Sequence, residues 1–146
     1  MTLGLLTLWT MAANGINLGT VAGMAAHYGL SRQLWSFVVP HGVIELSVIF
    51  MAGGAGLMIG DAILRPGQLR RRDALITAAR RGVHIVFGCV PLLVIAGTIE
   101  GFFSPSNAPD AAKFAVGTIS GLLLYAYLLG SRPTMRRAVF TFALEE

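Results

Sequence analysis

The sequence predicts an all-α polytopic membrane protein, with four transmembrane helices in one glycine-rich bundle and both termini in the cytoplasm. Three observations carry this. Of 146 residues, 55% are hydrophobic and only 12% are charged, about half the charged share of an ordinary soluble domain. Four apolar blocks, each near or above the ~20 residues a bilayer crossing needs, are separated by short polar stretches. Mean hydropathy is +0.70. The net charge of +4 rests on few groups, too few to build a nucleic-acid surface, so nucleic acid is excluded as a partner and anionic lipid headgroups are expected. The single cysteine, Cys89, lies in an apolar run. That excludes an intrachain disulfide framework and a cysteine-rich metal cluster, and Cys89 reads as a small apolar packer.

The whole of 1–130 reads as a single transmembrane domain. Helix 1 is expected over 3–26, because no formal charge occurs before Arg32. The missing basic start argues against a cleaved signal peptide, so this stretch is expected to stay in the mature protein. Helix 2 covers 34–63. Pro40 lacks an amide and collides with the carbonyl of Ser36, so the helix is expected to begin or kink there, with 34–39 a short interfacial piece anchored by Trp35. Residues 64–81 form a basic cytoplasmic loop holding Arg65, Arg70, Arg71, Arg72, Arg80 and Arg81. Its middle, 69–79, suits an amphipathic helix on anionic headgroups, with Arg70, Arg71, Arg72, Arg80 and Arg81 as the lipid-surface residues. Helix 3 covers 82–103. After a turn with Pro105 and Pro109, helix 4 covers 110–129, and 131–146 is a basic cytoplasmic tail. Nine basic residues on the side of the 64–81 loop and tail, against Arg32 and Lys113 on the other, place that side in the cytoplasm.

Glycines spaced by four let membrane helices approach closely. Gly15, Gly19 and Gly23 on helix 1, Gly56 and Gly60 on helix 2, Gly97 and Gly101 on helix 3, and Gly117 and Gly121 on helix 4 are therefore expected to pack the bundle. A face of this kind would equally serve a homodimer. Against this background a few polar residues stand out: Asn14 and Asn17 on helix 1, His41 and Glu45 on helix 2, and Glu100 on helix 3. An ionised group at a helix centre costs about 2.5 to 3.5 kcal/mol on insertion scales, so such groups face the bundle interior with partners. His41 and Glu45 are four apart, on one face. Helix 2 enters and helix 3 leaves at the same side of the membrane, which places Glu45 and Glu100 at similar depth. His41, Glu45, Glu100 and Asn14 then form an intramembrane polar cluster. Three readings of it stand side by side: a network that fixes helix register, with no metal; a metal site of His41, Glu45 and Glu100; and a proton or ion path. His27 and His84, near opposite interfaces, read as anchors.

The block Val39-Pro40-His41-Gly42-Val43-Ile44-Glu45-Leu46, with Phe50 and Ala52-Gly53-Gly54-Ala55-Gly56-Leu57 after it, resembles the stage II sporulation protein M family of integral membrane proteins. The later Ile99-Glu100-Gly101-Phe102-Phe103-Ser104-Pro105 is similar to the family's closing segment of its next helix, and Asn14-Gly15 with Leu18-Gly19 matches its glycine-rich earlier helix. The resemblance runs from about Leu5 to Leu129. It implies a multi-pass protein of the prokaryotic cytoplasmic (inner) membrane without established enzymatic activity, with His41, Glu45 and Glu100 as the signature polar residues. The family's namesake is a membrane anchor and scaffold that assembles with two peptidoglycan-degrading partners during engulfment of the forespore. Members commonly carry a further N-terminal region, so this chain reads as a truncated, split or minimal version. The function expected is thus a scaffold that organises membrane or cell-envelope proteins, such as cell-wall remodelling enzymes, with no catalytic residue and no cofactor. A small proton or cation transporter and an intramembrane metal-dependent hydrolase are the alternatives.

Overall fold

A computed structural model describes residues 4–130 as four α-helices with one π-helical turn. They are α1 (Leu5–His27), α2 (Ser31–Leu64), α3 (Arg71–Thr98), the π turn (Ile99–Phe103) and α4 (Asp110–Gly130). The expected tail over 131–146 and the first residue of helix 1 as expected lie outside the described residues. Three stretches, Ser31–Leu64, Arg71–Phe103 and Asp110–Gly130, are long and apolar enough to cross a membrane. Large apolar side chains such as Phe87, Phe102 and Tyr127 point outward, an arrangement that suits lipid as the surrounding solvent.

α2 is the hub, packing against α1, α3, the π turn and α4. The pairs Arg32 with Asp110, Val39 with Gly117, Val43 with Gly121 and Ser47 with Tyr125 share one sequence offset of 78. A constant offset means that α2 and α4 run parallel and in register. α1 runs antiparallel to α2, with Thr7 against Gly56 and Met11 against Gly53. Its end is closed by Gly29, whose φ of 71° lets the Gly29 amide donate to the Ala26 carbonyl at 3.2 Å and the Leu30 amide to Ala25 at 2.7 Å. This pair of hydrogen bonds meets the orphan carbonyls of the last turn and reverses the chain within three residues.

Three expectations about the elements change. First, α2 starts at Ser31 and runs through Pro40 without ending, so 34–39 is part of one 34-residue helix. Pro40 is fully buried, and packing on the other helices holds the segment helical despite the lost bond to Ser36, as is common in membrane helices. At 1.5 Å per residue α2 is about 51 Å long and exceeds a ~30 Å hydrocarbon core. Second, the basic segment carries only a short loop. α3 begins at Arg71, and the amphipathic piece expected within 69–79 is its first turns. The cause is a stripe of small residues, Ala74, Ala78, Gly82, Cys89 and Ala96, which are the buried residues of α3.

Third, the glycines divide. Gly60, Gly117 and Gly121 are buried and Gly56 meets Thr7, whereas a Cβ added at Gly15, Gly19, Gly23, Gly97 or Gly101 would meet nothing within 4 Å. The expected packing role of these five is therefore not met among the described residues. α1 buries no residue at all, and on α3 the alanine stripe occupies the interface that Gly97 and Gly101 were expected to make.

Candidate functional site

His41 lies one residue beyond Pro40, on the face of α2 turned to the end of α3, and is 4% exposed. Its ring is held from two sides. Phe37, one turn earlier, packs edge-on at a centroid distance of 5.7 Å, and Nδ1 lies 3.1 Å from Ser104 Oγ. The other nitrogen, Nε2, faces Glu45 Oε2 at 3.9 Å, beyond hydrogen-bonding distance.

Ser104 reaches this position because of the π turn. Cys89 and Ala96, seven apart, lie on the α2-facing stripe, and a continued α-helix would bring Phe103 next. The Ser104 amide instead donates to the carbonyl of Ile99, five residues back, at 2.8 Å. The extra residue in that turn hands the inward place to Ser104, which is 1% exposed. Such one-turn π bulges occur frequently at functional sites. Glu100 is on the same turn, and His41, Glu45 and Glu100 each offer a donor atom such that all three lie within 4.8 Å of one another. His41 is buried, Glu45 half-buried and Glu100 exposed. No hydrogen bond or ion pair engages the Glu100 carboxylate among the described residues.

The structure thus brings together three of the four expected cluster residues. Asn14 stands apart, since its amide donates to the Thr10 carbonyl on its own helix at 2.8 Å. α1 is too loosely seated for Asn14 to reach the α2 and α3 interface. It lines a cavity of about 580 Å³ between α1 and α2, together with Asn17, Trp35, Glu45 and Phe50. Arg70, Arg71, Arg72, Arg80 and Arg81 are all exposed. His27 stacks edge-on with Tyr28, and His84 Nδ1 lies 2.6 Å from the Arg80 carbonyl. Neither comes into the cluster.

Two participants are not singled out by the sequence. One is Ser104, whose role depends on the π turn. The other is Lys113, which reads as an outer-face charge but is 8% exposed, its Nζ donating to the Ser104 carbonyl at 2.7 Å. A cation on the last carbonyl of a helical segment is well placed against the segment dipole. One signal was available: Lys113 follows Asp110 by three residues, at the start of a helix where a basic residue has no favourable dipole to serve. Asp110 is itself paired with Arg32 Nε at 2.6 Å, so the loop after the π turn is tied down at both ends.

Chemically, the site is one imidazole nitrogen and two carboxylates from two helices, opening beside a cavity and braced from behind by Ser104 and Lys113. It has the donor types to hold a cation. Compared with known proteins, the chain matches no curated protein and no solved structure. A family model for stage II sporulation protein M matches residues 1–105, which takes in α1 to the π turn and all three residues of the cluster and leaves out α4 with Lys113. With 105 of 146 residues matched and three helices among the described residues apolar enough to span a bilayer, the chain is a helical membrane protein belonging to the stage II sporulation protein M family.

Proposed function

We propose that this protein is a multi-pass scaffold of the prokaryotic cytoplasmic membrane, which binds the membrane segments of cell-envelope proteins, cell-wall remodelling enzymes among them. The observation that carries this reading is α1. It buries none of its residues, and its Gly15, Gly19 and Gly23, spaced by four, have nothing within 4 Å of an added Cβ among the described residues, with Gly15 at the edge of the cavity toward α2. In lipid such a face is a docking surface for another helix, because close backbone approach gives dispersion contacts that lipid chains cannot match. In this reading α1 is the fourth span, and the Arg-rich start of α3 lies on the cytoplasmic side, where anionic headgroups attract it. Both termini are then cytoplasmic, and the cluster of His41, Glu45 and Glu100 faces the outer half of the bilayer.

Purification from native membranes in mild detergent tests the reading, with Gly15→Leu plus Gly19→Leu as the comparison. The wild-type chain is expected to bring down a membrane or envelope protein in near-stoichiometric amount. The double variant, whose new Cβ atoms meet nothing within 4 Å among the described residues, is expected to stay folded and lose that protein. Recovery of the same isolated chain from both preparations would overturn the scaffold reading.

A further inference from the structure

We propose that His41, Glu45 and Glu100 together bind one divalent transition-metal cation of the Zn²⁺ type. The proposal does not depend on the scaffold reading, since its ligands come from α2 and the π turn after α3 and none from α1.

The donor set is one imidazole and two carboxylates, each a donor type that zinc takes, and three protein ligands leave a further position to water. Mixed nitrogen and oxygen donors suit first-row divalent ions better than the all-oxygen shells of Mg²⁺ and Ca²⁺. The donor atoms lie within 4.8 Å of one another. Around a tetrahedral ion with bonds of about 2.0 Å, neighbouring ligands stand about 3.3 Å apart. Glu45 is half-buried and Glu100 exposed, which leaves both side chains room to close the difference.

The setting of His41 fits a metal ligand. Its side chain is 5% exposed, and the tautomer that donates Nδ1–H to Ser104 Oγ at 3.1 Å leaves Nε2 as a bare lone pair. That lone pair faces Glu45 at 3.9 Å with no hydrogen bond of its own. With that tautomer an acceptor nitrogen and two carboxylates face one another, an arrangement that a cation between them would satisfy. Metal-bound histidines characteristically donate their second ring N–H to a fixed partner. Ser104 is such a partner, held in turn through its carbonyl by Lys113 at 2.7 Å.

Charge balance agrees. Glu100 has no ion pair among the described residues, and Glu45 has only the 3.9 Å approach of His41. Two carboxylates and a neutral imidazole around a divalent ion sum to zero, the state that an apolar surrounding favours over two uncompensated charges. Glu45 also lines the cavity between α1 and α2, which leaves room for water on the open side of the ion.

The test is calorimetric titration of ZnCl₂ into the tag-free, chelator-stripped full chain in lipid nanodiscs. One equivalent per chain is expected for the wild type. Glu100→Gln is expected to weaken binding at least about tenfold. Glu100 is exposed, so this variant should fold as the wild type does, which helical content by circular dichroism would show. His41→Gln is expected to abolish binding; should its buried position prevent folding, Glu45→Gln with Glu100→Gln serves in its place. A wild-type chain that takes up no saturable equivalent, or a Glu100→Gln chain that binds Zn²⁺ like the wild type, would overturn the site. Partner recovery through α1 is measured separately, so loss of one reading leaves the other standing.

Discussion

Gly117→Ala is expected to destabilise the folded chain by about 1 to 3 kcal/mol, and Gly117→Leu to separate α4 from α2. A Cβ at Gly117 would run into the backbone carbonyl of Val39. A carbonyl inside a helix cannot rotate away, so the whole of α4 must retreat. Retreat would also loosen Gly121 on Val43, the Ser47 to Tyr125 contact at 3.3 Å and the Arg32 to Asp110 pair, which all lie on the same parallel seam. Gly121→Ala meets only a side-chain methyl of Val43 at 3.0 Å, which can give by a few tenths of an ångström, and should cost less. Gly15→Ala faces open space and should be neutral or mildly stabilising, since alanine favours helix over glycine by up to about 1 kcal/mol. Unfolding of the three variants in detergent, followed by helical signal against rising SDS, gives the ranking. Equal stability of Gly117→Ala and Gly15→Ala would refute close backbone packing of α4 on α2.

Lys113→Met is expected to cost about 1.5 to 3 kcal/mol, the range for a hydrogen bond to a charged group. Methionine keeps the apolar stem and removes the ammonium, which leaves the buried Ser104 carbonyl without the donor now at 2.7 Å. Replacing a buried charge with an apolar group can stabilise a protein when the charge is poorly met. Here the ammonium lies on the carbonyl of the residue that caps the π segment, where the dipole is negative, and loss should dominate. The effect should spread, because Ser104 also orients His41 through its hydroxyl at 3.1 Å. Hydrogen exchange of the amides over 99–109 should accelerate, and Zn²⁺ affinity should fall by about tenfold, as for other residues that orient a ligand. Wild-type exchange across this segment would show that Lys113 does not brace it.

The two variants act on different parts of the molecule. Gly117 governs how α4 attaches to the hub, while Lys113 governs whether the end of the π turn stays in place under His41. Arg32 and Asp110 connect them at the mouth of the loop, although Arg32 is largely exposed and its pair contributes little by itself.

Composition and block lengths were enough to read a helical membrane protein, because lipid admits few other ways to satisfy backbone polar groups. The four helices, the turn with Pro105 and Pro109 and the start at Asp110 were all legible as local features. So was the pairing of His41 with Glu45, which needs only the helical repeat, and the approach of Glu100, which needs only that α2 and α3 are antiparallel and joined by a short connection.

Which small residues make the interfaces was not legible. Glycine spacing appears on all four helices, yet Gly117 and Gly121 are buried while Gly15, Gly19, Gly23, Gly97 and Gly101 are open. Spacing identifies a face and not what lies opposite it. On α3 the alanines at 74, 78 and 96 serve close approach as well as glycine would, and they drew helix onward from Arg71 through a segment whose charge alone reads as loop.

The sequence by itself thus determined the class of solvent, the helices and the chemical types gathered at one depth. Tertiary structure decided the rest: that α2 is the hub, that α4 lies parallel to it, that Asn14 stays on α1, and that one inserted residue at Ile99–Phe103 turns Ser104 inward. The physical reason is that helix formation depends on neighbours within four residues along the chain. Helix rotation and partner choice depend on which surfaces meet, and for Lys113 and Ser104 that meeting gave a surface charge and a plain hydroxyl their places behind His41.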